Sequence, residues 1–395
     1  MTRHQISEKN ITVIGGGPSG MMAAISAAKQ GAKVIRVIEK NPALGRKLLA
    51  TGNGRCNLTN INCSDASETL QFFNSIGLLT RVEDEGRVYP YSGQAAAVQE
   101  ILVNSLRDLQ VKVYCGMEVE YIDRIGASFL IKIKDHKPIE TDVLILASGG
   151  KAGPQYGSTG DGYRWVKALG HTVVSPRPSL VRLVSNLAFF KELKGVRAKG
   201  CAKLMRMNQV VEQETGEIQF TEDGLSGICI FNLSKHYAKG DMVQIDLMPD
   251  FSDEILEELL LSRVQDLENR SIKELLSGMI NKKLVSVVLK EIALEQESRA
   301  GKLRRKEIQR IISILKRWQI SIIGTKGWKE AQVTSGGVKL SEVDLLTMES
   351  KIVPNLYLAG ELLDVDEKCG GYNLQWAWSS GMIAGKSAAA AISEK

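Results

Sequence analysis

The stretch Ile11-Thr12-Val13-Ile14-Gly15-Gly16-Gly17-Pro18-Ser19-Gly20 decides how the rest of the chain is read. Four residues suited to a strand run straight into glycines, and from Met21 to Gln30 the sequence is rich in Ala and Met without a breaker. That succession predicts a strand, a tight turn and a helix. Lys33 to Ile38 is β-rich again and ends at Glu39. The result is a βαβ unit of about 30 residues and therefore a parallel sheet. In this setting the glycine spacing carries chemistry. Gly15 permits the sharp turn, Gly17 lets the backbone approach a pyrophosphate, and Gly20 lets the helix pack on the sheet while its first amides, with Ser19 among them, face phosphate charge. Glu39, nineteen residues after Gly20, is placed to accept hydrogen bonds from a ribose diol.

Outward from this unit, 395 residues allow two or three domains, and 44% hydrophobic with 24% charged residues is the balance of a globular protein rather than a disordered or fibrous one. Apolar runs such as Val143 to Ala147 stop far short of the ~20 residues a spanning helix needs. Arg3, His4, Glu8 and Lys9 precede a short apolar stretch that runs into the glycines, which reads as the start of a fold and not a secretory leader; a cytoplasmic location is expected. Six scattered cysteines without C-x-x-C spacing and only four histidines suggest reduced thiols and neither a disulfide framework nor a metal site.

The apolar run Val143 to Ala147 reads as a second buried strand, and the next of its kind comes only at Leu356-Tyr357-Leu358-Ala359. The sequence between them contains inserted material. Residues 181–250 are short β-like pieces broken by glycines, as in a small barrel or sheet, and 251–322 shows leucines and isoleucines at three and four residue spacings without proline, as in a helical insertion. Residues 1–180 and 323–395 then form one domain. The fold class expected is α/β, a Rossmann-like dinucleotide-binding domain interrupted by a β-barrel subdomain and a helical insertion.

FAD is preferred over NAD because of the far end of the chain. Gly360-Glu361 ends a strand with a glycine that lets backbone pass close to a ligand and an acid that can hold a ribityl hydroxyl. Gly370-Gly371-Tyr372-Asn373-Leu374 opens the last helix, whose positive end can stabilise charge at the N1/O2 edge of a reduced flavin. Gly149, in Ala147-Ser148-Gly149-Gly150, resembles a further flavin-side turn.

The loop Gly45-Arg46-Lys47-Leu48-Leu49-Ala50-Thr51-Gly52-Asn53-Gly54-Arg55-Cys56-Asn57-Leu58-Thr59-Asn60 resembles the signature of the BaiN/aminoacetone-oxidase-like family of FAD-dependent oxidoreductases. Gly157 to Tyr163, Val333 to Val338 and the Gly360-to-Asn373 segment are similar to it too, in family order over residues 11–385. The resemblance implies an FAD-binding domain of the two-dinucleotide-binding type, with FAD lying near Glu39, Lys40, Lys47, Cys56-Asn57, Val119, Gly360-Glu361 and Asn373-Leu374. Arg46 and Gly371 are further cofactor-binding candidates, and with no His or Cys in an attachment motif the FAD is expected to be non-covalent. No second glycine turn stands between 190 and 330, so NAD(P)H, if it is the electron donor, docks transiently.

For protonation of a substrate carbon the candidates are Cys56 and Tyr372, with packing as the plainer role for Cys56. His171 and His236 cannot be assigned to the site. Between Arg299 and Arg317 stand eight basic residues, Lys302, Arg304, Arg305, Arg310 and Arg317 among them, against Glu307 alone, a local excess of +7. Lys191, Lys194, Arg197, Lys199, Lys203 and Arg206 form a second basic stretch. Both are surfaces of the kind that nucleic-acid backbones need, or solvated faces. Two readings follow. The first, preferred at this point, is reduction of a uridine in ribosomal RNA to dihydrouridine, as in some members of the resembling family. The second is small-molecule work, either enone reduction or oxidation of aminoacetone-like amines with oxygen.

Overall fold

The computed structural model describes residues 9–393. The reading of Arg3, His4 and Glu8 lies outside them. The chain forms two compact units, one ending at Pro178 and resuming at Gln332, the other spanning Ser179–Ala331.

The first unit is built on strands β1 (Asn10–Ile14), β2 (Val34–Glu39), β3 (Lys112–Cys115), β4 (Val143–Leu146) and β5 (Leu356–Leu358), in the order β5-β4-β1-β2-β3. All four pairings are parallel, with Ile11 opposite both Val143 and Ile35. Every residue of β4 and β5 is buried, as expected of strands covered on both faces. Strand β3 lies at the edge of this sheet and is largely exposed.

Helix α1 (Pro18–Lys29) starts with proline in its first turn and is followed by Gly31 in the left-handed region, φ +97°. It is buried from Ser19 to Ala27, because the last helix, α2 (Tyr372–Ser393), lies across it. Glycines make this crossing close. A Cβ on Gly381 would stand 2.4 Å from the Ser19 carbonyl oxygen, and one on Gly385 2.1 Å from that of Ala23. Beside the main sheet lie a meander, Val119–Ile125, Ser128–Ile133 and Ile139–Thr141, and a small antiparallel sheet of Thr59–Asn60, Arg87–Pro90 and Thr80–Val82.

The second unit holds a seven-stranded sheet, the short helices Phe190–Leu193 and Ile228–Ser234, and the helices Asp253–Asp266, Ile272–Ser277, Lys282–Glu291 and Arg305–Arg317. Its two terminal strands, Trp318–Ser321 and Gly324–Thr325, are consecutive pieces of one segment. The sheet therefore curls back on itself, as a barrel does. Both strands follow the helices in sequence, so the β and helical parts are not successive blocks. They share one hydrophobic cluster in which Trp318 stacks on Phe220 with ring centroids 5.8 Å apart. No helix of the described residues is long and apolar enough to cross a membrane.

Candidate functional site

The glycine turn fits the geometry its spacing implies. Gly15 has φ +108°, and a Cβ there would lie 2.3 Å from the Ala147 carbonyl oxygen of the neighbouring strand end. A Cβ on Gly20 would lie 1.8 Å from the Gly15 carbonyl, so the helix can sit this low only on glycine. Gly17 differs, since a Cβ there would meet nothing within 4 Å. The space over it is open, and the glycine spacing leads one to expect a pyrophosphate there. Glu39 is buried across the turn: Oε2 accepts from the Gly16 amide at 2.7 Å, and Oε1 from the Asn41 amide and Asn41 Nδ2, each at 2.7 Å.

A second cluster gathers around Glu361. Its Oε2 pairs with Lys47 Nζ at 2.7 Å, while Oε1 accepts from the Thr334 amide at 2.9 Å and from Thr334 Oγ1 at 2.7 Å. Thr334 Oγ1 in turn accepts from the Lys151 and Ala152 amides at 2.8 and 3.0 Å. The Gly149-Gly150 turn, the signature loop and the strand after the insertion thus meet at one carboxylate. Thr334 lies in the Val333-to-Val338 motif but was not singled out from sequence, because nothing in its spacing marks it as the partner of Glu361.

The two ends of the chain converge as well. Gly360, φ +71°, leaves 2.4 Å between a notional Cβ and Ser19 Oγ; its amide donates to Ser380 Oγ at 2.9 Å, and its carbonyl accepts from Trp376 Nε1 at 3.1 Å. Gly371 abuts the Thr59 carbonyl and the Asn57 side chain. Asn373 is taken up by its own loop, accepting from the Glu367 amide at 2.9 Å and donating to the Glu367 and Lys368 carbonyls. Leu374 packs on the core and Val119 is buried. Lys40 reaches Thr159 and Asp161, at 2.5 and 2.6 Å, joining the Gly157-to-Tyr163 motif to β2. Arg46 is exposed and holds Asn41 Oδ1 at 2.9 Å.

The residues present fit an extended dinucleotide. They offer an open glycine turn, helix amides without intrahelical acceptors, an acid beside the turn and a second polar cluster reached by the opposite end of the chain. Ser148 Oγ, buried next to Gly149, has no hydrogen-bond partner among the described residues.

The two proton-donor candidates are placed differently. Cys56 is fully buried with φ +59°, and burial pushes its thiol up to about 12. Tyr372 is half-buried at the first turn of α2, with Lys368 Nζ 4.8 Å from its ring centroid.

The basic stretches all fall in the second unit. Helix Arg305–Arg317 buries Ile308, Ile311, Ile312 and Leu315 as the spacing requires, and Ile314 besides. Part of its charge is offset by acids distant in sequence. Arg305 pairs with Glu257 at 3.0 Å, Arg317 with Asp253 at 2.7 Å, and half-buried Lys316 with Asp246 at 2.7 Å. In the second stretch Lys194, Arg197 and Arg206 pair with Glu222, Glu217 and Asp241. Lys302, Arg304, Lys306 and Arg310 remain exposed.

Comparison with known proteins bears on the family and the fold. The model of the HI0933-like protein Rossmann domain matches residues 9–70 and 61–387. The chain is 38% identical over 406 residues to the 3-dehydro-bile acid delta(4,6)-reductase of Clostridium scindens, covering 96% of this chain and 98% of that protein. It is 28% identical to the ribosomal RNA dihydrouridine synthases of Haemophilus influenzae and Escherichia coli, covering 93% of this chain and 95% of each. In fold it is similar to the open conformation of a flavocytochrome c3 fumarate reductase, at 15% identity and a TM-score of 0.50, covering 98% of this chain and 79% of that one.

Proposed function

Because the chain belongs to the HI0933-like family, as its motifs led us to expect, we propose that it is an FAD-dependent oxidoreductase that reduces the carbon–carbon double bond conjugated to a carbonyl on a small, largely apolar molecule. The observation that carries the substrate class is the full-length likeness to a protein named as a reductase of 3-dehydro-bile acids. The partial neutralisation of the basic helix by Glu257, Asp253 and Asp246 supports it against a polyanionic substrate.

Bound FAD supplies hydride transfer. The chain's own residues bind and orient. The turn amides and Gly17 would take the pyrophosphate, Glu39 the adenosine ribose, and Lys47 with Glu361 the polar chain between the two ring systems. The first turn of α2 would offer its positive dipole to the flavin's carbonyl edge. Tyr372 Oη is the proton donor to the substrate carbon, being the candidate that substrate can reach; Cys56 holds the turn of its loop. Sheet pairings in Ser179–Ala331 are antiparallel, without a second dinucleotide unit, so a nicotinamide donor docks for the transfer and leaves.

The test is to purify the protein, reduce it anaerobically with NADH or NADPH, and add a 3-oxo-4-ene steroid. The flavin should bleach and then recover its yellow absorbance as the double bond is lost. Colourless protein that takes up no FAD ends the whole reading, whereas reduced flavin that the enone fails to reoxidise ends only the substrate assignment.

The likeness to dihydrouridine synthases favours a second reading, reduction of uridine in large-subunit ribosomal RNA, with Lys302, Arg304, Lys306 and Arg310 contacting phosphates. A deletion strain then lacks dihydrouridine in its 23S RNA; an unchanged level excludes it.

A further inference from the structure

The signature loop carries an arginine that the dinucleotide does not explain. Arg55 lies over the ring of Tyr89, 4.2 Å from its centroid, and donates through Nη2 to Glu83 Oε1 at 2.5 Å. The same carboxylate oxygen receives Arg81 Nε at 3.1 Å. Arg81 is paired across the small sheet with Tyr89 and rests near the ring of Tyr91. Alternation along the strands therefore puts Arg81, Glu83, Tyr89 and Arg87 on one face, against which the loop lays Arg55. This face belongs to the candidate site. Gly52 of the loop sits against the Tyr89 ring, and Asn57, two residues beyond Arg55, touches Gly371.

Arg87 has its own partner in Glu85, so the two arginines that meet at Glu83 share one carboxylate. Two guanidinium groups, each a rigid fork of donors suited to a two-oxygen anion, converge on a single oxygen of one partly exposed carboxylate. Arg55, Arg81 and Glu83 have side-chain exposures of 39%, 44% and 31%, so an external anion can reach them. Tyr89 and the exposed Tyr91 supply an aromatic platform beside the charges. Hydrogen bonding from Arg55 holds the Glu83 carboxyl below its ordinary range, so Glu83 stays charged and competes for the fork.

Resting on the reductase reading above, we propose that Arg55 and Arg81 form a carboxylate-binding fork that selects substrates with an anionic tail, and that Glu83 is its internal occupant, displaced when such a substrate binds. The substrate class is then an apolar ring system with a conjugated carbonyl at one end and a carboxylate at the other. Nothing is transferred at this fork; it exchanges one carboxylate for another.

The experiment measures, by calorimetry on the flavin-loaded protein, the Kd of a 3-oxo-4-ene steroid carboxylic acid and of its methyl ester. The acid should bind about tenfold tighter than the ester, as one charge-assisted pair implies. Arg81→Ala should bring the two Kd values together, and Glu83→Gln should widen their ratio about threefold by removing the competing charge. A merely structural role moves acid and ester alike and leaves the ratio fixed. Equal Kd values in the unaltered protein, a ratio that neither substitution shifts, or binding of neither compound overturns the fork. A preference for the acid that responds to both substitutions, but without turnover of either compound, upholds the fork and defeats the reductase reading.

Discussion

Cys56 and Tyr372 carry opposite expectations although both stand near the same loop. A thiol with no exposed surface and a raised pKa serves packing, so Cys56→Ala should keep FAD bound and change kcat by no more than about twofold. Tyr372→Phe should keep the flavin spectrum and lower kcat by about 10²- to 10⁴-fold, the usual worth of a positioned acid. If instead the alanine variant is the inactive one, the roles are exchanged. His171 makes a different kind of statement. Its ring is buried, with Nδ1 3.1 Å from Glu342 Oε2 and Nε2 2.9 Å from Ser350 Oγ. Burial lowers its pKa below the ordinary 6.5, more than its hydrogen bond to the Glu342 carboxylate raises it. The unfolded chain then takes up this proton before the folded one does. The stabilisation is complete above about pH 6.5 and is lost as pH falls from there toward the folded pKa. Melting temperatures measured from pH 7.5 to 5 should fall, and His171→Gln should flatten that part of the curve; parallel curves would show that His171 does not control it.

Among the elements, the glycines of the first unit separate into those that let backbone meet backbone and one that leaves room. Gly385→Ala brings a methyl against the Ala23 carbonyl and should destabilise the protein by about 1–3 kcal/mol, the range for overpacking, with flavin affinity falling as α1 shifts. Gly17→Ala has a permissive φ of −79° and free space, so unfolding without flavin should change by less than about 0.5 kcal/mol, while FAD binding weakens at least tenfold. Should both variants lose stability equally, the space over Gly17 is not a ligand space. Such elements were legible in sequence where local pattern suffices: β1, α1 and β2 follow from the run Ile11 to Glu39, and β5 and α2 from Leu356 and Gly371. Strands of four and two residues after a thirteen-residue helix, Trp318–Ser321 and Gly324–Thr325, were not, since pieces so short have no periodicity to read.

At the level of the whole molecule, charge counted along the chain misjudged charge in space. The excess between Arg299 and Arg317 is real, but Glu257, Asp253 and Asp246 come from segments 45 to 70 residues away in sequence and could not be matched to it beforehand. The same limit hid Thr334 and Ser350, whose partners are set by tertiary contacts alone. A triple reversal, Arg304→Glu, Arg305→Glu and Arg310→Glu, should leave FAD content and steroid turnover within about twofold, because surface charges contribute little. Loss of 23S RNA binding with a shallower salt dependence, on a background of intact flavin, would instead favour the RNA reading.

The segment Trp318–Thr325 has one more consequence. Because it supplies both margins of the seven-stranded sheet, a single proteolytic cut at Ile322-Ile323 would free both marginal strands to fray, and fraying bares the amide and carbonyl rows of the strands beneath them. Such rows template pairing with neighbouring chains. Solubility of the second unit thus hinges on the continuity of one eight-residue span.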